Sequence, residues 1–301
     1  MFDLHCDTLL KVRKGGSLQS NAFDVSFEKL SKYKKAGQLF AIYNPCEFST
    51  KDMLDIIDLL KKEARQSSVA EFCVTAQDYK NCNVPVSAFV SLEGMGNTPG
   101  FSIANLYELY DAGVRIAGFT WNMDNVLCGG IGDNALGLTE LGREVLSEME
   151  KLSMGFDVSH ISDRGFWDAA EYENVRMLAT HSNSRTVCPV ERNLTDEQFE
   201  VIRARGGVVG LNLYPLFLND SESADVNDLI RHIEHFCSIG GENTIALGAD
   251  FDGIGFKMSD IDSCEKLDIL FGELARLNYP QSLIDNIAQD NFIRFFESLN
   301  I

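Results

Sequence analysis

The amino-acid sequence predicts an α/β fold, a (β/α)8 barrel of the TIM type in which eight parallel strands alternate with helices. Two observations lead to this prediction: short apolar runs alternate with amphipathic stretches along the whole chain, and there are eight such runs. Their length and their β-branched residues are typical of strands that are buried on both faces. The predicted strands comprise residues 2–7, 38–43, 86–93, 114–120, 155–160, 175–181, 207–214 and 244–250.

The stretches between these strands have the apolar spacing of amphipathic helices. Ser162 or Asp163 can cap a helix that opens at Arg164, and Thr195 precedes a stretch with acidic residues in its first turn. An open doubly wound sheet is the alternative fold, but the first strand lacks the GxGxxG turn of its nucleotide-binding form. No internal repeat or linker interrupts the pattern, so residues 1–301 are predicted to form a single metallohydrolase barrel domain. The main predicted helices comprise residues 51–66, 103–112, 140–152, 196–205, 226–239, 267–277 and 281–299.

Composition excludes several classes of partner. The chain has 45 acidic and 26 basic residues and a formal net charge of -19, which repels nucleic acid and anionic lipid. No apolar run approaches the roughly 18 residues of a transmembrane helix, and no basic leader precedes the first strand. The eight cysteines are scattered without a CxxC pair. These features predict a reduced, cytoplasmic protein without nucleic-acid or membrane partners.

The first predicted strand contains an unusual set of polar residues. Residues two apart on a strand point to the same face, so Asp3, His5 and Asp7 are predicted to share one face and the residues between them the other. Inside a barrel, such polar side chains need partners, and a divalent metal satisfies His and Asp well. A solvated N-terminal stretch is the alternative interpretation.

Other predicted strands also end in potential metal ligands, namely Glu93, His160 and His181. Catalytic groups collect at the carboxyl ends of barrel strands, and three of the five histidines stand at such ends. With His5 and Asp7, these residues make five ligands, more than the three protein ligands of one catalytic zinc. Two divalent metals that share a carboxylate, roughly 3.5–4 Å apart, would use all five and generate hydroxide for hydrolysis.

Three further positions have weaker signals. Asp250 ends the eighth predicted strand and is predicted to be a further ligand or a proton-transferring group, with capping of the next turn as the alternative. Arg192 follows His181 in a loop and could hold a substrate carboxylate bidentately, unless it is a surface arginine. His232 and His235 lie within a predicted helix and are interpreted as helix-surface or helix-packing residues.

These residues and their surrounding motifs resemble the renal (membrane) dipeptidase family of dizinc peptidases over nearly the whole chain. The resemblance implies that His5 and Asp7 bind one zinc, that His160 and His181 bind the other, and that Glu93 bridges both. It also implies attack by a metal-bridging hydroxide on a dipeptide, with proton delivery by Asp250. The motifs are Asp3-Leu-His-Cys-Asp-Thr-Leu, Ser91-Leu-Glu-Gly, Phe156-Asp-Val-Ser-His-Ile-Ser-Asp, His181-Ser-Asn-Ser-Arg-Thr-Val-Cys-Pro, Arg192-Asn-Leu-Thr-Asp-Glu, Gly206-Gly-Val-Val-Gly-Leu-Asn-Leu-Tyr and Leu247-Gly-Ala-Asp-Phe-Asp-Gly.

The same resemblance implies the substrate contacts and the assembly of the protein. Arg192 would hold the substrate carboxylate, and the backbone around Tyr214 would line the pocket. The sequence resembles soluble bacterial members of the family, and the resemblance implies a homodimer.

One position departs from the family pattern. The sequence reads Thr120-Trp121-Asn122 where the family usually has a histidine at the second position. An indole N–H can donate a hydrogen bond but cannot take a proton or carry charge.

The ligand set and the family resemblance together predict dipeptide hydrolysis with two zinc ions or other divalent metals. The alternatives are a different small amide or ester substrate, or a catalytically weak protein that binds a metal or small ligand.

Overall fold

In a computed structural model, which describes residues 1–133 and 135–299, nine strands form one sheet whose strand pairings are all parallel. Eight of them correspond to the eight predicted strands. The last five of these eight have only three residues each, fewer than predicted. The strands are β1 Phe2–Cys6, β2 Ala36–Tyr43, β3 Ala70–Phe72, β4 Val86–Glu93, β5 Ile116–Gly118, β6 Gly155–Asp157, β7 Arg176–Leu178, β8 Val209–Leu211 and β9 Ile245–Leu247.

The strands form a nearly closed barrel. Hydrogen bonding follows the order β7, β6, β5, β4, β2, β1, β9, β8. The ring continues from β7 to β8 through a parallel bridge between Ala179 and Val209, with the Gly210 amide donating to the Ala179 carbonyl at 2.8 Å. The (β/α)8 prediction is confirmed, and the open doubly wound alternative is wrong.

The short strand β3 lies outside this ring and was absent from the prediction. It pairs with residues 86–88 of β4, beside the half of β4 that does not contact β5. Only three residues long and buried only at Ala70, it has too little apolar sequence to give a strand signal.

The helices surround the strands at the predicted places. Ser162 caps the helix Asp163–Ala170 by accepting from the Gly165 amide, and Thr195 caps the helix Asp196–Ala204 by accepting from the Gln198 amide. The last predicted helix, 281–299, consists of two α-helical segments joined by a π-helical turn at Asn286–Asp290. No helix in the described part of the chain has the length and apolarity needed to cross a bilayer. The helices are α1 Thr8–Arg13, α2 Phe27–Leu30, α3 Thr50–Gln66, α4 Ala76–Asn81, α5 Ile103–Asp111, α6 Glu140–Lys151, α7 Asp163–Ala170, α8 Asp196–Ala204, α9 Pro215–Leu218, α10 Val226–Ser238, α11 Asp268–Arg276, α12 Gln281–Asp285 and α13 Asn291–Ser298, with short 3-10 turns at Met95–Asn97 and Cys264–Lys266.

Two apolar clusters mark the inside and outside of the barrel. The inner cluster takes a residue from nearly every strand or strand start and is closed at its base by Phe292 of α13, whose ring lies 4.4 Å from that of Phe2. The outer cluster packs the opposite strand faces, such as Phe40, against the helices. The inner cluster contains Phe2, Leu4, Leu39, Phe89, Ile116, Leu178, Val208 and Ala246.

A β-bulge in β1 changes the direction of its side chains. Asp3 pairs with Gln38 and Cys6 with Phe40, so three steps along β1 match two along β2. Leu4 therefore packs in the inner cluster, while Cys6 packs in the outer one. The predicted shared face of Asp3, His5 and Asp7 is wrong for Asp3, because regular alternation fails at the extra residue. Because of the bulge, the side chains of Leu4 and His5 both point into the barrel interior.

His232 of α10 is a packing residue, the second of the two interpretations given for it from the sequence. Its ring is fully buried, with Nδ1 accepting from the Ser184 amide at 3.1 Å and Nε2 donating to the Leu218 carbonyl at 2.9 Å. Burial lowers the pKa of His232 to about 4. The neutral ring joins α10 to the loops after β7 and β8.

Stability at acidic pH should depend on His232. Its pKa is lower in the folded than in the unfolded chain, so only the unfolded chain gains this proton between about pH 6.5 and pH 4, and stability falls as pH decreases through that window. Urea unfolding of the metal-free protein at pH 7 and pH 4.5 should show a stability difference that is about 2 kcal/mol smaller for His232→Gln than for wild type. Equal pH dependence in both proteins would contradict this assignment.

Candidate metal centre

A cavity of about 390 Å³ opens at the carboxyl ends of the barrel strands, within the size range of small-molecule sites. Four of the predicted ligands line it, and His5, which is 1% exposed, lies against them in the barrel interior. The lining includes Asp7, Glu93, His160, His181, Trp121, Tyr214 and Asp250. The strand-end residues singled out from the sequence therefore come together in space.

Glu93, the last residue of β4, stands between two histidines. Its Oε2 lies 3.0 Å from His5 Nε2, and its Oε1 lies 3.3 Å from His160 Nε2. Burial raises the pKa of the Glu93 carboxyl, and the charge and hydrogen bonding of His5 oppose that shift. One carboxylate thus presents a separate oxygen to each side of the cluster, the arrangement that a shared metal ligand requires.

His160 and His181 direct their Nε2 atoms at each other across 2.9 Å. The Nδ1 of His160 meets Asn122 Oδ1 at 2.9 Å, and the Nδ1 of His181 meets the Thr180 hydroxyl at 2.8 Å. Burial lowers the pKa of both histidines well below the ordinary value, so both rings are neutral. With each Nδ1 carrying the hydrogen, two lone pairs converge, and a divalent cation satisfies this arrangement.

Carboxylates surround His5 on its other side. His5 Nε2 lies 3.6 Å from Asp7 Oδ2 and 3.9 Å from Asp250 Oδ1. Burial alone would lower the pKa of His5, but Asp7 and Glu93 raise it well above the ordinary value. The position favours positive charge, as a divalent metal provides.

Gly253 allows two of these carboxylates to converge. A Cβ atom at Gly253 would lie 2.0 Å from Asp7 Oδ2 and 2.8 Å from Asp250 Oδ1, closer than non-bonded atoms approach. The backbone of residue 253 forms the wall against which both side chains rest. A side chain at residue 253 would therefore displace the Asp7 and Asp250 carboxylates from these positions.

Asp250 follows β9 in a left-handed backbone conformation, with φ of 62°. Its Oδ2 accepts from the Asn212 amide group at 3.0 Å. Burial raises the pKa of Asp250 to about 7, helped by the charges of Asp7 and Glu93 and opposed by His5. A carboxyl with such a pKa can both give and take a proton near neutral pH.

Arg192 lies behind His181 rather than on the cavity wall. Its Nη1 donates to Ser182 Oγ at 2.7 Å and its Nη2 to the His181 carbonyl at 2.9 Å, while its buried Nε has no partner among the described residues. Burial lowers the pKa of Arg192 to about 10, against the opposing charges of Asp250 and Glu93. A buried cation next to the cluster offsets part of its negative charge.

Aromatic side chains form two walls of the cavity. Trp121 packs on Tyr43 with ring centroids 5.3 Å apart and lies 6.4 Å from the ring of His160. On another side, Tyr214 packs edge-on against Phe217 at 4.9 Å. Trp121 thus occupies the cavity wall where the family pattern has an imidazole.

Sequence reasoning missed several residues that support the cluster. Tyr43 ends β2, and Asn212 directly follows β8, within the seventh predicted strand, but their residue types did not suggest metal chemistry. Asp157 lies three residues before His160, and Thr180 directly precedes His181. The Thr180 hydroxyl forms hydrogen bonds with both the Asp157 carboxylate and His181 Nδ1. Only the structure shows these contacts.

A (β/α)8 barrel that gathers histidines and carboxylates at the carboxyl ends of its strands defines a metal-dependent hydrolase. Within that class, the chain belongs to the membrane dipeptidase family, peptidase family M19, whose family model matches residues 1–300. It is accordingly a metallopeptidase of the dipeptidase type, and the resemblance inferred from the motifs is confirmed.

The chain is also similar to individual proteins and solved structures. An uncharacterised protein from the pqqA 5′ region of Klebsiella pneumoniae is 34% identical over 249 residues, covering 78% of this chain and 91% of the relative. The crystal structure of dipeptidase AC, an M19 metallopeptidase, has a TM-score of 0.89 at 26% identity and covers 98% of this chain and 97% of that chain. A metallopeptidase from Rhodobacter sphaeroides, solved with a phosphinate mimic of the dipeptide L-Ala-D-Ala, shares the fold with a TM-score of 0.87 at 24% identity, covering 98% of each chain.

Proposed function

We propose that the protein hydrolyses dipeptides with two divalent metals, zinc in the first instance, held by His5, Asp7, Glu93, His160 and His181. The observation that carries the proposal is the placement of Glu93, whose two oxygens face His5 and His160 separately. The approach of His160 Nε2 to within 2.9 Å of His181 Nε2 supports it independently. His5 with Asp7 would hold one metal, His160 with His181 the other, and Glu93 both.

When bound, the two metals would supply an activated water at neutral pH and polarise the scissile carbonyl. Asp250 is proposed to deliver a proton to the leaving nitrogen, because its carboxyl lines the cavity and its pKa is raised to about 7 by burial. Asn212 holds that carboxyl in place through a 3.0 Å hydrogen bond. Glu93 and Asp250 thus form the proposed catalytic pair.

Arg192 is proposed to hold the carboxylate of the substrate, for which its guanidinium would have to reach the cavity from its place behind His181. Its positive charge is buried beside the cluster, and its Nε still lacks a partner among the described residues. Trp121 and Tyr214 would contact the substrate from the two aromatic walls. The dipeptide mimic bound by the Rhodobacter relative supports a small dipeptide as the substrate class.

The proposal is tested by metal content and dipeptide cleavage together. Protein purified without a metal-binding tag should contain about two zinc ions per chain and release amino acids from a panel of L,L- and L,D-dipeptides. Chelation should remove both properties, and added zinc should restore both. Fewer than one ion per chain after zinc addition would disprove the metal assignment.

A different small amide or ester is the second candidate substrate, favoured by Trp121 in the cavity wall. Two bound metals with turnover of such compounds, but not of dipeptides, would select this alternative. A catalytically weak metal-binding protein would bind two metals and turn over neither class. The cytoplasmic location, the homodimer and the single domain spanning residues 1–301 stay predictions.

A further inference from the structure

A hydrogen-bond relay lies beneath the candidate metal centre, running from Asp157 through Thr180 to His181. The Thr180 hydroxyl lies 2.5 Å from Asp157 Oδ2 and 2.8 Å from His181 Nδ1. All three side chains are buried. Water therefore does not compete for these contacts, and the direction of each hydrogen bond is set by the protein alone.

The surroundings of Asp157 fix the direction of the relay. Its Oδ1 accepts from the backbone amides of Ser159 at 3.0 Å and Thr180 at 2.9 Å, and from the Ser159 hydroxyl at 2.6 Å. Backbone amides can only donate, so this end of the relay cannot be reversed. The Thr180 hydroxyl also lies 3.2 Å from Ser159 Oγ, but Ser159 gives its own hydrogen to Asp157 Oδ1 and Asp157 Oδ2 is the nearer acceptor for Thr180, at 2.5 Å. We therefore assign the single Thr180 hydrogen to Asp157 Oδ2, which leaves only lone pairs facing His181.

The relay determines the tautomer of His181. Because Thr180 presents a lone pair, the His181 hydrogen must reside on Nδ1, which leaves the Nε2 lone pair directed towards His160. The same hydroxyl oxygen lies 3.4 Å from His5 Nδ1, where it favours the same tautomer more weakly. By contrast, Asn122, the partner of His160, carries a donor and an acceptor on one amide and can rotate to serve either tautomer.

We propose that Asp157 is a positioning residue that acts through Thr180 to hold His181 in its metal-binding tautomer. The proposal rests on the metal-ligand role proposed for His181. Asp157 is not among the residues that line the cavity. Its effect passes entirely through the polarity of two hydrogen bonds, so a change of one atom should reverse it.

Asp157→Asn makes that one-atom change. The three donors at Oδ1 retain the amide oxygen, so the new NH2 group must take the Oδ2 position opposite Thr180. The Thr180 hydroxyl then accepts from this group and donates to His181 Nδ1. The hydrogen of His181 moves to Nε2, and the lone pair that would bind the metal is lost.

The tautomer can be read directly in the metal-free protein. Nitrogen-15 chemical shifts of histidine, recorded in the presence of chelator, should show Nδ1–H at His181 in wild type and in Thr180→Ser, and Nε2–H in Asp157→Asn. The zinc dissociation constant of the weaker site, measured by competition with a chromogenic chelator, should rise about 10- to 100-fold in Asp157→Asn and stay near wild type in Thr180→Ser. Thr180→Val should show mixed tautomers and weakened zinc binding.

An unchanged Nδ1–H tautomer at His181 in Asp157→Asn would overturn the proposal, as would equal loss of zinc binding in Thr180→Ser and Asp157→Asn. If Asp157→Asn does not fold, Thr180→Val compared with Thr180→Ser decides in the same way. Because the tautomer is recorded without metal, the relay is judged separately from the proposed function. A wild-type protein that binds no zinc disproves the metal role and leaves the tautomer result standing.

Discussion

Replacing Glu93 with glutamine is expected to lower kcat/KM for dipeptides on the order of 10,000-fold, the scale of losses within a cooperating catalytic group. Glutamine has nearly the same shape but no charge, and only one of its two end atoms can bind a metal. The carboxylate that faces both His5 and His160 would become a ligand for one side alone. Elemental analysis should therefore find no more than about one metal per chain, together with the loss of turnover.

Glu63→Gln is the matched control for this variant. Glu63 is also a buried glutamate, but it accepts from Ser17 and the Leu18 amide, outside the cavity. Its replacement should affect stability and leave metal content and turnover unchanged. Two metals and near-normal turnover in Glu93→Gln would contradict the bridging role of Glu93.

Trp121→His is expected to raise dipeptide kcat/KM roughly 100-fold, the scale associated with one donor to a developing oxyanion. Trp121 lines the cavity with its ring 6.4 Å from that of His160, so an imidazole at this position would lie in the cavity wall beside the candidate metal centre. Unlike indole, imidazole can carry charge and transfer a proton. The measurement is steady-state cleavage of the dipeptide panel by both proteins at matched metal content.

Trp121→Phe is the control, because it keeps an aromatic wall against Tyr43 and removes only the N–H donor. If the indole N–H contributes to turnover, this variant should be slower than wild type. Unchanged turnover in both variants would show that residue 121 only packs in the wall. If dipeptide turnover rises in Trp121→His and is unchanged in Trp121→Phe, the wild-type site suits a substrate other than a dipeptide.

Much of the fold could be predicted because the relevant signals are local. Buried parallel strands are continuous apolar runs, and helix starts such as Ser162 and Thr195 bear side-chain caps, so eight strands and the main helices were recognisable. β3 was missed because its three residues bury little surface. Strand ends meet at one mouth of a barrel, which is why ligands from four separate strands could be grouped.

The remainder depends on contacts between distant segments. The orientation of Asp3 required the register of β1 against β2, which contains an extra residue that alternation alone cannot reveal. The burial of Arg192 behind His181 and the link between Asp157 and Thr180 join separate parts of the chain. The residue types at these positions do not indicate where the side chains point or which distant residues they contact. These features therefore had to come from the structure.

The bulge in β1 also has a consequence for engineering. Leu4 and His5 are adjacent in sequence and both face inward. Leu4 packs in the inner apolar cluster, which forms the floor beneath the cavity, and His5 lies in the candidate metal centre. Because interiors are packed like solids, a change in the volume of the floor is transmitted to the neighbouring imidazole. Directed evolution of this enzyme could therefore tune metal affinity by resizing floor residues, without replacing a ligand. The same coupling means that stabilising substitutions in the floor should be screened for catalytic side effects.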